Sequence, residues 1–318
     1  MNLLTYNPKE EFAQKHMLKL SDYTPDEIMQ VLSLALNLKT QKEKGYPAPL
    51  LGGKILAMIF TKSSTRTRVS FEAGIYQLGG TAQFLSSNDI QLGRGEPISD
   101  TAKVLSRMVD GIMIRTFAQS DVEGLAEHGS IPVINGLTDL LHPCQILADL
   151  LTYYENVGSF DGKMAYIGDG NNVANSLLIG CAQVGLDVTI ACPKGFEPDA
   201  DILATAQKIA ANTGATITIT QDPKEAVSGA TAVYTDVWAS MGQESDAKQK
   251  HAHFTDYQVN SELMALADKD AIFLHCLPAH RGEEVTSDVI DGDQSVVFDE
   301  AENRLHAQKA VMVLLMKD

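Results

Sequence analysis

The sequence predicts an α/β protein of two domains, each a parallel sheet flanked by helices, with the C-terminal helix packing back on the first domain. Three observations carry this. From residue 54 onward, short continuous apolar runs alternate with segments of helical spacing, the pattern of a parallel sheet covered on both faces. The pattern breaks near residue 150 and restarts. The final segment, "DEAENRLHAQKAVMVLLMKD", reads as a helix too apolar to lie free. A chain of 318 residues is long enough for two domains with a core in each. The expected boundaries are 1–150 and 151–318, with about 299–318 returning to the first domain.

The elements follow in order. "YTPDEIMQVLSLALNLKTQKEKG" starts a helix with Thr24 as N-cap, Pro25 at the first helical position and Glu27 closing a capping box. Ile28, Val31, Leu32 and Ala35 repeat at helical spacing, and Gly45 and Pro47 end the run. "KILAMIF" is a buried strand and "RTRVSFEAGIYQLGG" a helix. "TAQFLS", "GIMIRT" and "IPVINGL" are strands separated by the helices "ISDTAKVLSRMV" and "SDVEGLAEHG". After the helix "PCQILADLLTYYENVG", strands "KMAYIG", "DVTIAC", "TITITQ", "TAVYTDVW" and "AIFLHC" alternate with further helices.

Composition narrows the function. The chain is 44% hydrophobic and 21% charged, as soluble enzymes are. It has no run of 18 apolar residues, so no membrane span is expected. The N-terminus lacks the basic start and apolar block of a secretion signal, and its acids argue against a mitochondrial transit peptide. A net charge of -16 and a pI of about 4.8 repel nucleic acid and anionic membranes. Cys144, Cys181, Cys192 and Cys276 are widely spaced, with no CxxC pair. They read as reduced thiols of a cytoplasmic protein, not as a disulfide framework or a zinc site.

The stretch "FTKSSTRTRVSFEAG" puts hydroxyls and two arginines where a strand gives way to a helix. Ligands of open parallel sheets bind at the carboxyl ends of strands. The first N–H groups of a helix have no intrahelical partner, so such a junction binds anions, phosphate especially. Ser64, Thr65 and Thr67 add hydroxyls, and Arg66 adds a planar fork suited to phosphate. Arg68 falls on another face of the helix. The bland reading is a hydroxyl N-cap followed by solvated arginines.

Other segments raise similar pairs of readings. In "LLHPCQILADL", His142 and Gln145 precede or open a helix and are either a turn or donors to a carbonyl. Arg115 closes "GIMIRTF" as a solvated cap or as a second arginine at the same sheet edge. "AYIGDGNNVANSLL" gives G-x-G after a strand, but Val173 stands at the third glycine position and the next strand ends in Cys192. A dinucleotide site is therefore disfavoured. Asn171 and Asn172 instead offer amides at a helix start. Asp236, in "YTDVWASMGQE", can meet an ammonium group, and Cys276, in "FLHCLPAHRGEEV", is either packing or chemistry.

Taken together, "SSTRTR", "HPCQ", "DVWASMG" and "HCLPAHRGEEV", in that order along nearly the whole chain, resemble the aspartate and ornithine carbamoyltransferases, and the ornithine-using branch in particular. The resemblance implies transfer of a carbamoyl group from carbamoyl phosphate to L-ornithine, with residues 1–150 binding the first substrate and 151–318 the second. It implies carbamoyl-phosphate contacts from Ser64, Thr65, Arg66, Thr67, Arg115, His142, Gln145, Cys276, Leu277 and Arg304. It implies a further carbamoyl-phosphate contact from Gln91, in "SSNDIQLGRGEP", which matches the ligand-contacting position of a loop that reaches a neighbouring subunit's site, and hence a homotrimer, or a multiple of trimers, with shared sites. For ornithine it implies Asn172 at the carboxylate, Asp236 and Ser240 at the α-ammonium, and Met241 also at the carboxylate. Cys276 falls beside the reacting δ-amine and, with the phosphate oxygens, is a candidate proton acceptor. The expected catalytic set is Arg66, Arg115, His142 and Cys276, with no metal or organic cofactor. Thr61 departs from the pattern, since relatives more often carry Glu there, and a change in an interdomain or subunit contact is the expected result. The rival readings are carbamoyl transfer to aspartate, putrescine or an acylated ornithine, a Rossmann-type dehydrogenase, and a non-catalytic phosphate-binding protein.

Overall fold

The computed structural model describes residues 2–45, 49–239 and 247–317. They form two compact units: Met1–Leu151 with Glu302–Asp318, and Thr152–Ala301. Two helices, α5 and α12 below, have residues in both.

In the first unit the elements are α1 (Pro25–Glu43), β1 (Ile55–Phe60), α2 (Thr65–Gln77), β2 (Thr81–Ser86), α3 (Ile98–Leu105), β3 (Gly111–Arg115), α4 (Gln119–His128), β4 (Val133–Leu137) and the start of α5 (Pro143–Val157). The four strands run parallel in the order β2-β1-β3-β4. Each parallel pairing needs a crossover, and the helices supply it. Ala57, Ile59, Ile112, Ile114 and Val133 pack with Val122 and Leu125 of α4 into one core. β2 is an edge strand, and none of its residues is buried.

Capping chemistry fixes the helix starts. The Thr24 hydroxyl accepts from the Glu27 N–H at 3.1 Å, and the Glu27 carboxylate accepts from the Thr24 N–H at 2.9 Å, the capping box expected for α1. Ser64 does the same for α2, accepting from the Thr67 N–H at 3.2 Å. The helix expected through Val109 ends at Leu105, and the chain continues as turns, with Met108 N–H donating to Leu105.

The second unit contains β5 (Lys163–Ile167), α6 (Asn172–Val184), β6 (Asp187–Ala191), α7 (Ala200–Thr213), β7 (Ile217–Thr220), α8 (Pro223–Val227), β8 (Ala232–Thr235), α9 (Ala247–Phe254), α10 (Ser261–Met264), β9 (Ile272–Leu274) and α11 (Ser287–Ile290). Its five strands are parallel in the order β7-β6-β5-β8-β9. Ile167, Val233 and Phe273 pack with Trp238, Phe254 and Tyr257. The last helix, α12 (Val297–Met316), contributes its residues from Glu302 onward to the first unit.

Candidate functional site

The first unit gathers polar side chains at the carboxyl ends of β1, β3 and β4. Ser64 caps α2 and Thr65 to Thr67 form its first turn, so the unbonded N–H groups and the Arg66 side chain belong to one helix start. Arg115 is the last residue of β3 and is 6% exposed. His142 precedes α5 and is 5% exposed. Burial pushes the His142 imidazole well below the usual range, and Arg304, Arg115 and Arg66 push it further in that order. It is therefore held neutral.

Arg304 lies on α12 and is buried, not a surface residue. Its guanidinium donates to Gln145 Oε1 at 2.7 Å and to Thr67 Oγ1 at 3.2 Å. Gln145 in turn donates to Asp149 at 2.8 Å. With its amide turned so that both ends are satisfied, Gln308 accepts from Arg304 and donates to Ser70 at 2.6 Å. Arg304 thus ties α12 to the first turns of α2 and α5. Arg68 stands apart as expected, bonded to Glu72 at 3.2 Å and lying 3.8 Å from the centre of the Phe84 ring. Gln91 opens a short 3-10 turn, Gln91–Arg94, and is exposed. Thr61 bonds the Arg115 carbonyl through its N–H at 2.9 Å and its hydroxyl at 3.3 Å, so its contact in this chain is the end of β3.

The second unit gathers a different set at the ends of β5, β8 and β9. Asp236 follows β8 and is 5% exposed. One of its oxygens accepts from Asn171 Nδ2 at 2.8 Å, and the other from the Cys276 thiol at 3.0 Å and the Val237 N–H at 2.8 Å. Asn171 is also the N-cap of α6, accepting from Val173 and Ala174, which leaves Asn172 as the first helical residue. Leu277 sits at φ 56°, a left-handed conformation a leucine seldom adopts. His275 holds it there: its Nδ1 accepts from the Leu277 N–H at 2.9 Å, so the proton is on Nε2, which donates to Glu284 at 3.2 Å. Ser240 and Met241 lie outside the described residues.

Among the described residues, two groups of side chains have the donor set of a metal site, Asp236 with His275 and Cys276, and His280 with Glu283 and Glu284. In the first group the His275 nitrogens, the Cys276 thiol and the Asp236 oxygens are already engaged as described. The sequence reading missed the ion pair of Lys250 with Asp169 at 2.7 Å, which joins α9 to the end of β5. It also missed the packing partner of Trp238, His251, whose ring meets the indole edge-on at 4.9 Å.

A dinucleotide has no room where G-x-G would cradle it. A Cβ on Gly170 would stand 2.3 Å from the Pro198 nitrogen, 2.4 Å from the Glu197 carbonyl carbon and 2.6 Å from the Phe196 oxygen. The loop after β6 thus occupies the place that the second glycine of that fingerprint keeps open for a pyrophosphate.

Comparison with known proteins gives a consistent result. Residues 15–155 match the family model "Aspartate/ornithine carbamoyltransferase, carbamoyl-P binding domain", and residues 161–315 match "Aspartate/ornithine carbamoyltransferase, Asp/Orn binding domain". An ornithine carbamoyltransferase of Carboxydothermus hydrogenoformans is 59% identical over 96% of this chain and 98% of its own length. One from Oceanobacillus iheyensis is also 59% identical, over 98% of this chain and 97% of its own. Among solved structures, ornithine carbamoyltransferase from Pyrococcus furiosus is 52% identical with a TM-score of 0.93, covering 96% of this chain and 98% of that one.

Proposed function

The chain belongs to the aspartate/ornithine carbamoyltransferase family, and from that premise we propose that it transfers a carbamoyl group from carbamoyl phosphate to L-ornithine, giving L-citrulline and phosphate. The observation that carries the reading is the 59% identity over nearly the whole length to relatives of that name. The side-chain chemistry supports it. In the first unit, Ser64, Thr65, Thr67 and the first-turn N–H groups of α2 hold the phosphate, with Arg66 as its planar partner. Arg115 and neutral His142 donate to the carbamoyl oxygen, where negative charge grows as the carbonyl carbon becomes tetrahedral. One such donor is worth roughly 3 kcal/mol in the transition state. Arg304 holds Gln145 and Thr67 in register for the same ligand.

In the second unit, Asn172 and the start of α6 take the ornithine carboxylate, with Met241. Asp236 takes the α-ammonium, with Ser240, and Cys276 lies beside the δ-amine. That amine is normally protonated at neutral pH and must lose its proton to attack. The Cys276 thiol already donates to Asp236, and a thiolate there would face a carboxylate. The departing phosphate is therefore the acceptor this arrangement favours.

We place the protein in the cytoplasm, on the strength of four cysteines that form no disulfide, three of them buried. Among the described residues, no helix is long and apolar enough to cross a membrane. We also propose a homotrimer in which Gln91 serves a neighbour's site. Exposed Val69, Tyr76 and Phe84 on α2 and β2 give a second copy an apolar surface to cover. The deciding experiment is a citrulline assay with ornithine, run beside putrescine and aspartate as acceptors. Carbamoylation of putrescine or aspartate in preference to ornithine would overturn the reading.

A further inference from the structure

Three loops of the first unit meet on the side chain of Lys62. Lys62 follows β1, two residues before Ser64, and its side chain is only 8% exposed. Its Nζ donates to Asp139 Oδ1 and lies 4.3 Å from the centre of the Phe117 ring. Each of these residues is close in sequence to an expected ligand contact. Phe117 lies two residues after Arg115, and Asp139 three residues before His142. The loops are also joined through the backbone. Asp139 N–H donates to the Phe117 carbonyl at 2.8 Å, Thr116 N–H to Leu137 at 3.0 Å, and Thr61 N–H to Arg115 at 2.9 Å. Lys62 and Asp139 make a side-chain ion pair that spans the first and third of these loops.

We propose that Lys62 and Asp139, with the Phe117 ring over the ammonium, form a latch that sets the spacing between the start of α2 and His142. Both are positioning residues for carbamoyl phosphate. The inference rests on the function proposed above and extends it to residues with no role there. Asp139 is 58% exposed, so the pair is anchored from the Lys62 side: an ammonium that loses this carboxylate is left against the Phe117 ring without a counter-ion, or swings toward water and takes its loop with it. Either way, Ser64 to Thr67 shift relative to His142. Small misplacements of this kind are costly when a substrate is held at several points.

Position and charge predict opposite signs, which makes the test sharp. If the pair acts only through its electric field, Asp139→Asn leaves an extra cation near the phosphate and tightens anion binding, whereas Lys62→Met weakens it. If the pair is a latch, both substitutions weaken it. The measurements are the KM for carbamoyl phosphate and the inhibition constant of inorganic phosphate, in the full-length protein. The expected result is a roughly tenfold rise in both constants for both variants, with the KM for ornithine unchanged and Lys62→Arg recovering most of the loss. Asp139→Glu, which keeps the charge on a longer arm, is expected to fall between the parent and Asp139→Asn, and it serves if Asp139→Asn fails to fold. Tighter or unchanged phosphate binding in Asp139→Asn or Asp139→Glu would overturn the latch while leaving the proposed reaction intact. Failure of the parent protein to form citrulline would instead remove the reaction, and the latch with it.

Discussion

Asp236 draws in groups from several strand ends of the second sheet. It bonds Asn171, Cys276 and the Val237 N–H, three contacts from three separate strand ends. Replacing it by Asn keeps the shape and removes the charge that an ammonium would meet. Asp236→Asn is expected to raise the KM for ornithine at least tenfold with little change for carbamoyl phosphate, by steady-state kinetics with each substrate varied in turn. We assign Arg66 the complementary role in the first unit. Arg66→Ala is expected to lower kcat/KM at least a hundredfold while thermal unfolding stays within a few degrees of the parent, because the side chain is half-buried at a helix start outside the core. Near-parental kcat/KM in that variant would refute its place at the phosphate. Residues such as these were visible in the sequence because they cluster within a few positions of a strand end. The latch and the Lys250–Asp169 pair were not, since their partners lie 77 and 81 positions apart and no local spacing relates them.

The same contrast holds for whole elements. Continuous apolar runs such as "KILAMIF" and "KMAYIG" announced the central strands, because a strand buried on both faces has no alternation to hide it. β2 was equally legible despite its exposure, since Gly80 and the turn after it bracket the run. α9 was missed: "AKQKHAHF" has almost no apolar period, and its place depends on Phe254 reaching the core and Lys250 reaching Asp169. The turn before α6 shows how one glycine can serve packing where a motif suggests a ligand. Gly170→Ala is expected to lower stability by about 1–3 kcal/mol in chemical denaturation, since the new methyl meets the backbone of three successive residues that cannot swing aside. An unchanged midpoint would mean that the loop of residues 196–198 yields freely.

At the scale of the whole chain, acid sensitivity follows from histidines buried in neutral form. His306, on α12, is pushed down to about 4 by burial and by Lys39 and Lys42, against the pull of Glu302. In the unfolded chain the same ring binds a proton near pH 6.5. The unfolded state thus takes up a proton that the folded state refuses between those values. The stabilisation is complete above about pH 6.5 and declines as the pH falls toward 4. His142 acts in the same direction. His306→Gln is expected to flatten the fall in unfolding free energy between pH 6.5 and 4, by up to about 1.4 kcal/mol per pH unit, in denaturant titrations at successive pH values. Parallel curves for parent and variant would count against that assignment.

Trp238 is the only tryptophan of the chain, buried against Phe254 and His251 two positions before Ser240. The ultraviolet emission of this protein, excited at the red edge of the indole band, therefore comes from one known address. An optical titration can follow events there without any label being attached.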